Sequence, residues 1–189
     1  MKKILALALV GVALWGCSGS DQKSTNATTD QAKDENTFVI SNDLENAAAI
    51  VPSWSNEKTV VKMNGAPAHS GQYVSMVDDQ FAYSYGFHEF VDNINQSIPK
   101  KVVVKGWLYS SVASPDLSMV LDISENNKQV DWKAYSLTPV ITEANKWIEY
   151  KANFDINKPI QPSNLIKIFG WNPGKKLAYF DDFEITFEY

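Results

Sequence analysis

From residue 37 onward, apolar and polar residues alternate in short runs. A period of two predicts strands rather than helices. Runs rich in β-formers cover 59–63, 72–77, 82–91, 101–110, 117–124, 128–137, 146–154, 165–172 and the terminal 177–189. Turn-forming clusters at 64–67, 97–99, 114–116, 125–127 and 172–174 separate them. "ENAAAI" at 45–50 predicts a helical turn, and no amphipathic helix of useful length stands elsewhere. Many strands without intervening helices predict an all-β domain, an antiparallel sandwich or barrel.

Two of these strands have unusual faces. In 101–109, Val102, Val104 and Leu108 can face a core. Val103, Trp107 and Tyr109 fall on the other face with Lys101 and Lys105. A sandwich strand with its outward side in water usually has a more polar second face. Either a neighbouring loop covers Trp107 and Tyr109, or they belong to a ligand-facing surface. In "LAYFDDFEITFEY", alternation places Tyr179, Asp181, Phe183, Ile185 and Phe187 on one face, with Asp182 on the more polar side. A carboxylate among aromatics requires compensation by a cation, a lysine or main-chain N–H groups.

The first residues precede the domain. "MKKILALALVGVALWGC" has two lysines, an apolar run from Ile4 to Trp15, then Gly16 and Cys17. The run is shorter than the roughly 20 apolar residues a spanning helix needs, and reads as a secretory signal. Leu14-Trp15-Gly16-Cys17 resembles the lipobox of bacterial lipoproteins, which implies lipidation of Cys17 and a membrane anchor. Cys17 is the one cysteine of 189 residues, so no disulfide forms within the chain. Residues 18–36 contain no aromatic, Leu, Ile or Val. They predict a disordered tether. The organisation expected is a signal over 1–17, a tether over 18–36 and a β-sandwich over 37–189. The resemblance places the protein in a bacterial cell envelope, at the outer membrane.

Charge excludes one class of partner. Without Lys2 and Lys3, the 17 basic residues fall to 15 against 22 acidic ones, a balance of −7, and there is no arginine. An acidic chain without guanidinium forks is not suited to phosphate or guanine recognition, so nucleic acid is not an expected partner.

Catalytic constellations are absent from the pattern. The two histidines, His69 and His88, stand apart from any second metal-ligand motif and read as surface or loop residues. There is no G-x-S-x-G elbow and no glycine-rich phosphate loop. Asp181 and Asp182 are adjacent on a strand and cannot flank one glycosidic bond as a pair. The expectation is a protein that is not an enzyme.

Taken in order, several residues carry a family resemblance. They are Asn42-Asp43-Leu44-Glu45, Trp54, His69-Ser70-Gly71, Thr142 with Trp147 and Phe154, and Tyr179 to Ile185. The domain resembles the galactose-binding-like jelly-roll carbohydrate-binding modules that accompany bacterial xylanases and glucanases. The resemblance implies a jelly-roll sandwich and a structural calcium ion held by Glu45 and Asp181, with carbonyls near Ser70 or Gly71. Calcium takes six to eight oxygens, carboxylate and carbonyl together. It also implies carbohydrate or envelope polysaccharide as partner, stacked on aromatics. The candidates are Tyr85, Trp107, Tyr109, Trp132 and Tyr135, while Trp54 and Trp147 match core positions. Two other functions fit the same pattern: an adhesion or assembly module without sugar binding, and a jelly-roll hydrolase or lyase.

Overall fold

The alternating runs pair edge to edge into two antiparallel sheets that close on each other as a sandwich. The structure is a computed structural model, and it describes residues 36–46, 51–63 and 65–189. The signal, Cys17 and most of the expected tether lie outside the described residues, as do the last four positions of the 45–50 turn.

The strands are β1 (Thr37–Asn42), β2 (Trp54–Ser55), β3 (Val60–Lys62), β4 (Tyr73–Val77), β5 (Gly86–Phe90), β6 (Lys101–Ser110), β7 (Ser118–Glu125), β8 (Lys128–Ser136), β9 (Trp147–Asp155), β10 (Leu165–Trp171) and β11 (Ala178–Glu188). One short helix, α1 (Val91–Ile94), follows β5. The first sheet runs β3-β4-β11-β6-β9, with β1 also paired to β11, and the second runs β2-β5-β10-β7-β8. From β4 to β7, and again from β8 to β11, successive strands cross from one sheet to the other. That winding makes the sandwich a jelly roll. The register Thr37↔Glu188 to Asn42↔Phe183 ties the first strand of the domain to the last.

The core between the sheets takes the inward residue of each alternating pair. It includes Val102, Val104 and Leu108 from β6, Ile166 and Ile168 from β10, and Phe183, Ile185 and Phe187 from β11. Each such side chain contributes about 1.5–3 kcal/mol on burial. Tyr85 and Trp54 stack within this core, ring centroids 5.5 Å apart.

One strand departs from strict alternation, and this corrects the face expected for Asp181. The β11–β6 register shifts between Asp181 and Glu184, and Asp182 has φ 49°. A bulge adds one residue and reverses which parity faces the core. Phe180 and Phe183, three apart, therefore both point inward and stack at 6.1 Å. Asp181 consequently faces outward with Tyr179, on the side opposite Phe183, Ile185 and Phe187. It is nonetheless fully buried. Its cover is the 66–73 loop, not the core.

Candidate functional site

The outer faces of the two sheets are built differently. On the first sheet, the 66–73 loop is strapped across the aromatic residues of β6 and β9. The His69 imidazole lies on the Trp107 indole at 3.8 Å between centroids and 13° from parallel. Trp147 Nε1 donates to the Pro67 carbonyl at 3.0 Å. Tyr109 packs its ring against Trp147 and Tyr179. Cover by a loop is thus the outcome for Trp107, whose ring face is occupied and unavailable as a sugar platform. Tyr109 is half-buried in the same cluster. Trp147, expected in the core, lies on this outer face instead.

Carboxylates fasten the strap. Asp181 Oδ2 accepts from the N–H groups of His69 and Ser70 at 3.0 and 3.1 Å, and Oδ1 accepts from Asp182 N–H at 2.8 Å. Asp182 takes His69 Nδ1 and Ser70 Oγ, each at 2.6 Å. Glu45 Oε1 accepts from the N–H groups of Gln72 and Tyr73, both at 2.8 Å. Gly71, at φ 51°, lets Glu45 approach, because a Cβ there would stand 2.2 Å from Glu45 Cδ. Burial pushes the Asp181 carboxyl up to about 6, with the Asp182 charge adding to the rise and the Ser70 N–H opposing it.

These contacts bear on calcium. Main-chain N–H groups, not carbonyls, of the 69–73 turn face the two carboxylates. Even so, Glu45 Oε2 accepts no hydrogen bond among the described residues and Asp181 Oδ1 accepts one, so each carboxylate keeps lone pairs for a hard cation. Glu45 and Asp181 grip one turn from opposite ends of the domain sequence, a donor pair of the right chemistry. Among the described residues, no three His, Cys, Asp or Glu side chains cluster as a metal site.

The second sheet has the open face. Alternation in β10 turns Leu165, Lys167, Phe169 and Trp171 outward while Ile166 and Ile168 enter the core. A groove of about 460 Å³ lies over this face, lined by Ser55, Asn56, Tyr83, His88, Asp122, Lys167 and Phe169, among others. Its aromatic walls are arranged edge to face. Tyr83 and Phe169 meet at 5.5 Å and 87°. Beside it, Trp132 and Trp171 meet at 5.6 Å and 79°. Tyr83 is 53% exposed and Trp132 39%. Lys167 Nζ stands 3.5 Å from Asp122 Oδ2 on the floor.

The segment carrying Tyr83 is held in place before any ligand arrives. Asn56, in the left-handed region at φ 82°, donates Nδ2 to the Tyr83 carbonyl at 2.7 Å and to that of Ser84 at 3.1 Å. Ser84 N–H donates to Gly170 O at 3.0 Å, and Gly170 N–H returns to Ser84 Oγ at 2.8 Å. Gly86 lets β5 lie close against Phe169 of β10 at the edge of the groove. A Cβ there would stand 2.6 Å from Ile168 O and 2.8 Å from Phe169 Cβ.

Of the five ligand candidates, the structure brings only Trp132 to this face. Tyr85 is corrected: it is 0% exposed, because it points into the sandwich. Tyr135 is three residues from Trp132 and so faces the other side of β8. There it meets the Phe154 ring edge-on at 6.5 Å, at the open margin between β8 and β9. Tyr83, Phe169, Trp171, Asp122, Lys167 and His88 were not among the candidates. The signal for three of them, Lys167, Phe169 and Trp171, lay in "LIKIFGW", a two-faced strand of the same kind as 101–109.

No family model matches the chain, and no curated protein does. Among solved structures, the chain is similar to the CBM22-1 xylan-binding domain from Paenibacillus barcinonensis Xyn10C, at 14% identity over 81% of this chain and 96% of that one, with a TM-score of 0.48. It is similar to the CBM22-2 xylan-binding domain of the same protein, at 14% identity over 78% of this chain and 98% of that one, TM-score 0.49. It is also similar to TmCBM61, solved with β-1,4-galactotriose, at 13% identity over 79% and 86%, TM-score 0.36. The solved structures similar to this chain thus include carbohydrate-binding modules.

Proposed function

We propose that the outer face of the β2-β5-β10-β7-β8 sheet binds a carbohydrate chain without altering it. The observation that carries this reading is the open groove with Tyr83 and Phe169 in its wall, Trp132 and Trp171 beside it, and Asp122 and Lys167 on its floor. Aromatic faces suit the C–H-rich faces of sugar rings, and a few convergent polar groups orient the hydroxyls. Exposed aromatics of this kind otherwise weigh against solubility, which is why their grouping is informative.

In this reading the protein is a lipoprotein of the bacterial cell envelope, tethered at the outer membrane by acylated Cys17, and it holds glycan at that surface. Two or more acyl chains anchor stably where one does not. A structural calcium ion belongs to the same reading. Glu45 and Asp181 would hold it, supported by the lone pairs each carboxylate keeps and by the burial of Asp181, whose charge needs compensation. Bound there, it would neutralise the buried charge and brace the strap.

The test uses the full chain in detergent micelles, with xylan and β-1,4-galactan as first probes in a wider polysaccharide panel. Binding is expected, with Phe169→Ala and Trp132→Ala each reducing it at least tenfold while Trp107→Ala leaves it unchanged. Binding that survives both groove variants, or that disappears with Trp107→Ala at unchanged stability, overturns the site. Silence across the panel returns the protein to the interaction-module class. Cys17→Ser is expected to release the protein from membranes. Chelator is expected to lower the wild-type Tm more than that of Asp181→Ala, and an equal response removes the ion.

A further inference from the structure

The groove floor carries a charge pattern that narrows the class of sugar. Asp122 and Lys167 are cross-strand partners on β7 and β10, and both line the groove. Their separation of 3.5 Å exceeds the roughly 2.7–2.9 Å of a closed charge-assisted bond. Neither group makes another hydrogen bond among the described residues, so the ammonium keeps donors and the carboxylate keeps lone pairs free for a ligand. Asp122 is also directly opposite Trp132 in the β7–β8 register. Lys167 is two residues before Phe169 and shares its face.

We propose that Asp122 and Lys167 together read a vicinal diol of an uncharged sugar, and that this pair makes the site select neutral over acidic glycans. The inference rests on the groove being the carbohydrate site. A vicinal diol presents two oxygens about one hydrogen-bond length apart. One accepts from Lys167 Nζ while its neighbour donates to Asp122 Oδ2, so the diol completes a pair that the protein leaves open. A sugar ring lying against Trp132 or Phe169 carries its edge hydroxyls over this floor.

A uronate fares differently. Its carboxylate cannot donate, and to reach Lys167 it must stand beside Asp122, a like charge left unpaired in a partly desolvated groove. His88 is the remaining side chain of the lining that can carry a positive charge. The charges of Asp122 and Lys167 cancel, so the floor offers no field to draw in a polyanion. Binding governed by such a floor is largely insensitive to salt.

The test measures affinity of the full chain in detergent for xylan and β-1,4-galactan as the neutral polymers, for their O-methylated forms, and for polygalacturonate. Wild type is expected to bind the neutral polymer equally at low and high salt, and to bind the O-methylated form at least tenfold more weakly. Asp122→Asn and Lys167→Met each weaken neutral binding about tenfold, in line with loss of one hydrogen bond to a charged group. Asp122→Asn gains affinity for polygalacturonate. Both substitutions are near in shape to the native residue, and thermal melts report whether the fold is kept. If both bind neutral glycan like wild type while Phe169→Ala does not bind, the diol reading is overturned and the groove stands. Tight, salt-sensitive binding of polygalacturonate by wild type overturns it too. No binding to any polymer overturns both readings.

Discussion

His69 lies flat on Trp107, ring centroids 3.8 Å apart, and the same imidazole reaches Asp182 through Nδ1 at 2.6 Å. One side chain thus closes the aromatic face of the first sheet and joins the strap to the bulge of β11. His69→Ala is expected to uncover Trp107, shifting tryptophan emission to the red and lowering stability by about 1–3 kcal/mol. Glycan binding at the second sheet is expected to be unchanged. An unshifted spectrum would show that the strap does not depend on this contact.

The Asp181 carboxyl gives a pH dependence with a definite sign. Burial raises it from the ordinary 3.8 to about 6, so between those values the folded chain binds more protons than the unfolded one. Stability from this group is present below the unfolded value and is lost as pH rises through about 6. In chelator, the Tm of the wild type is expected to fall as pH rises across that window, and that of Asp181→Asn to stay flatter. Saturating calcium is expected to remove the fall, because a cation favours the ionised form. A Tm that rises with pH in chelator would contradict the burial argument.

Gly86→Ala tests whether the close packing of β5 on β10 sets the position of Phe169. The added Cβ would stand 2.6 Å from the Ile168 carbonyl oxygen and 2.8 Å from Phe169 Cβ, neither of which is a flexible chain end. The expected destabilisation is about 1–3 kcal/mol, with glycan affinity falling because Phe169 is displaced. Full affinity in a folded Gly86→Ala protein would show that the position of Phe169 does not matter.

Tyr150 carries a buried hydroxyl with no hydrogen-bond partner among the described residues, and burial alone holds its pKa well above the ordinary tyrosine range. Removing an unsatisfied buried group relieves its desolvation penalty, about 1–3 kcal/mol. Tyr150→Phe is expected to raise Tm by a few degrees, as measured by thermal melting. A lowered Tm would mean that the hydroxyl is satisfied in solution.

Period-two alternation made nine of the eleven strands legible, because a strand of a sandwich must bury one face and wet the other. Of the remaining two, β2 has only two residues, and in β1 the consecutive apolar residues Phe38, Val39 and Ile40 blur the alternation. Asp181 shows where local pattern stops. Its need for compensation was readable, but its face was not, since one residue in the left-handed region at 182 reversed the parity. The two-faced pattern flagged Trp107 and Tyr109 correctly as outward, yet could not tell that a loop some 35 residues earlier lies over them.

Composition and spacing by themselves determined an all-β domain, its strand succession, and which side of most strands is apolar, since these follow from the chain's own stereochemistry. Only the tertiary structure decided which aromatic face is closed and which is open. That choice depends on where the 66–73 loop is pinned by Glu45, Asp181 and Asp182, and on whether Gly86 leaves room beside Phe169. Both are contacts between residues far apart in sequence, and no local period encodes them.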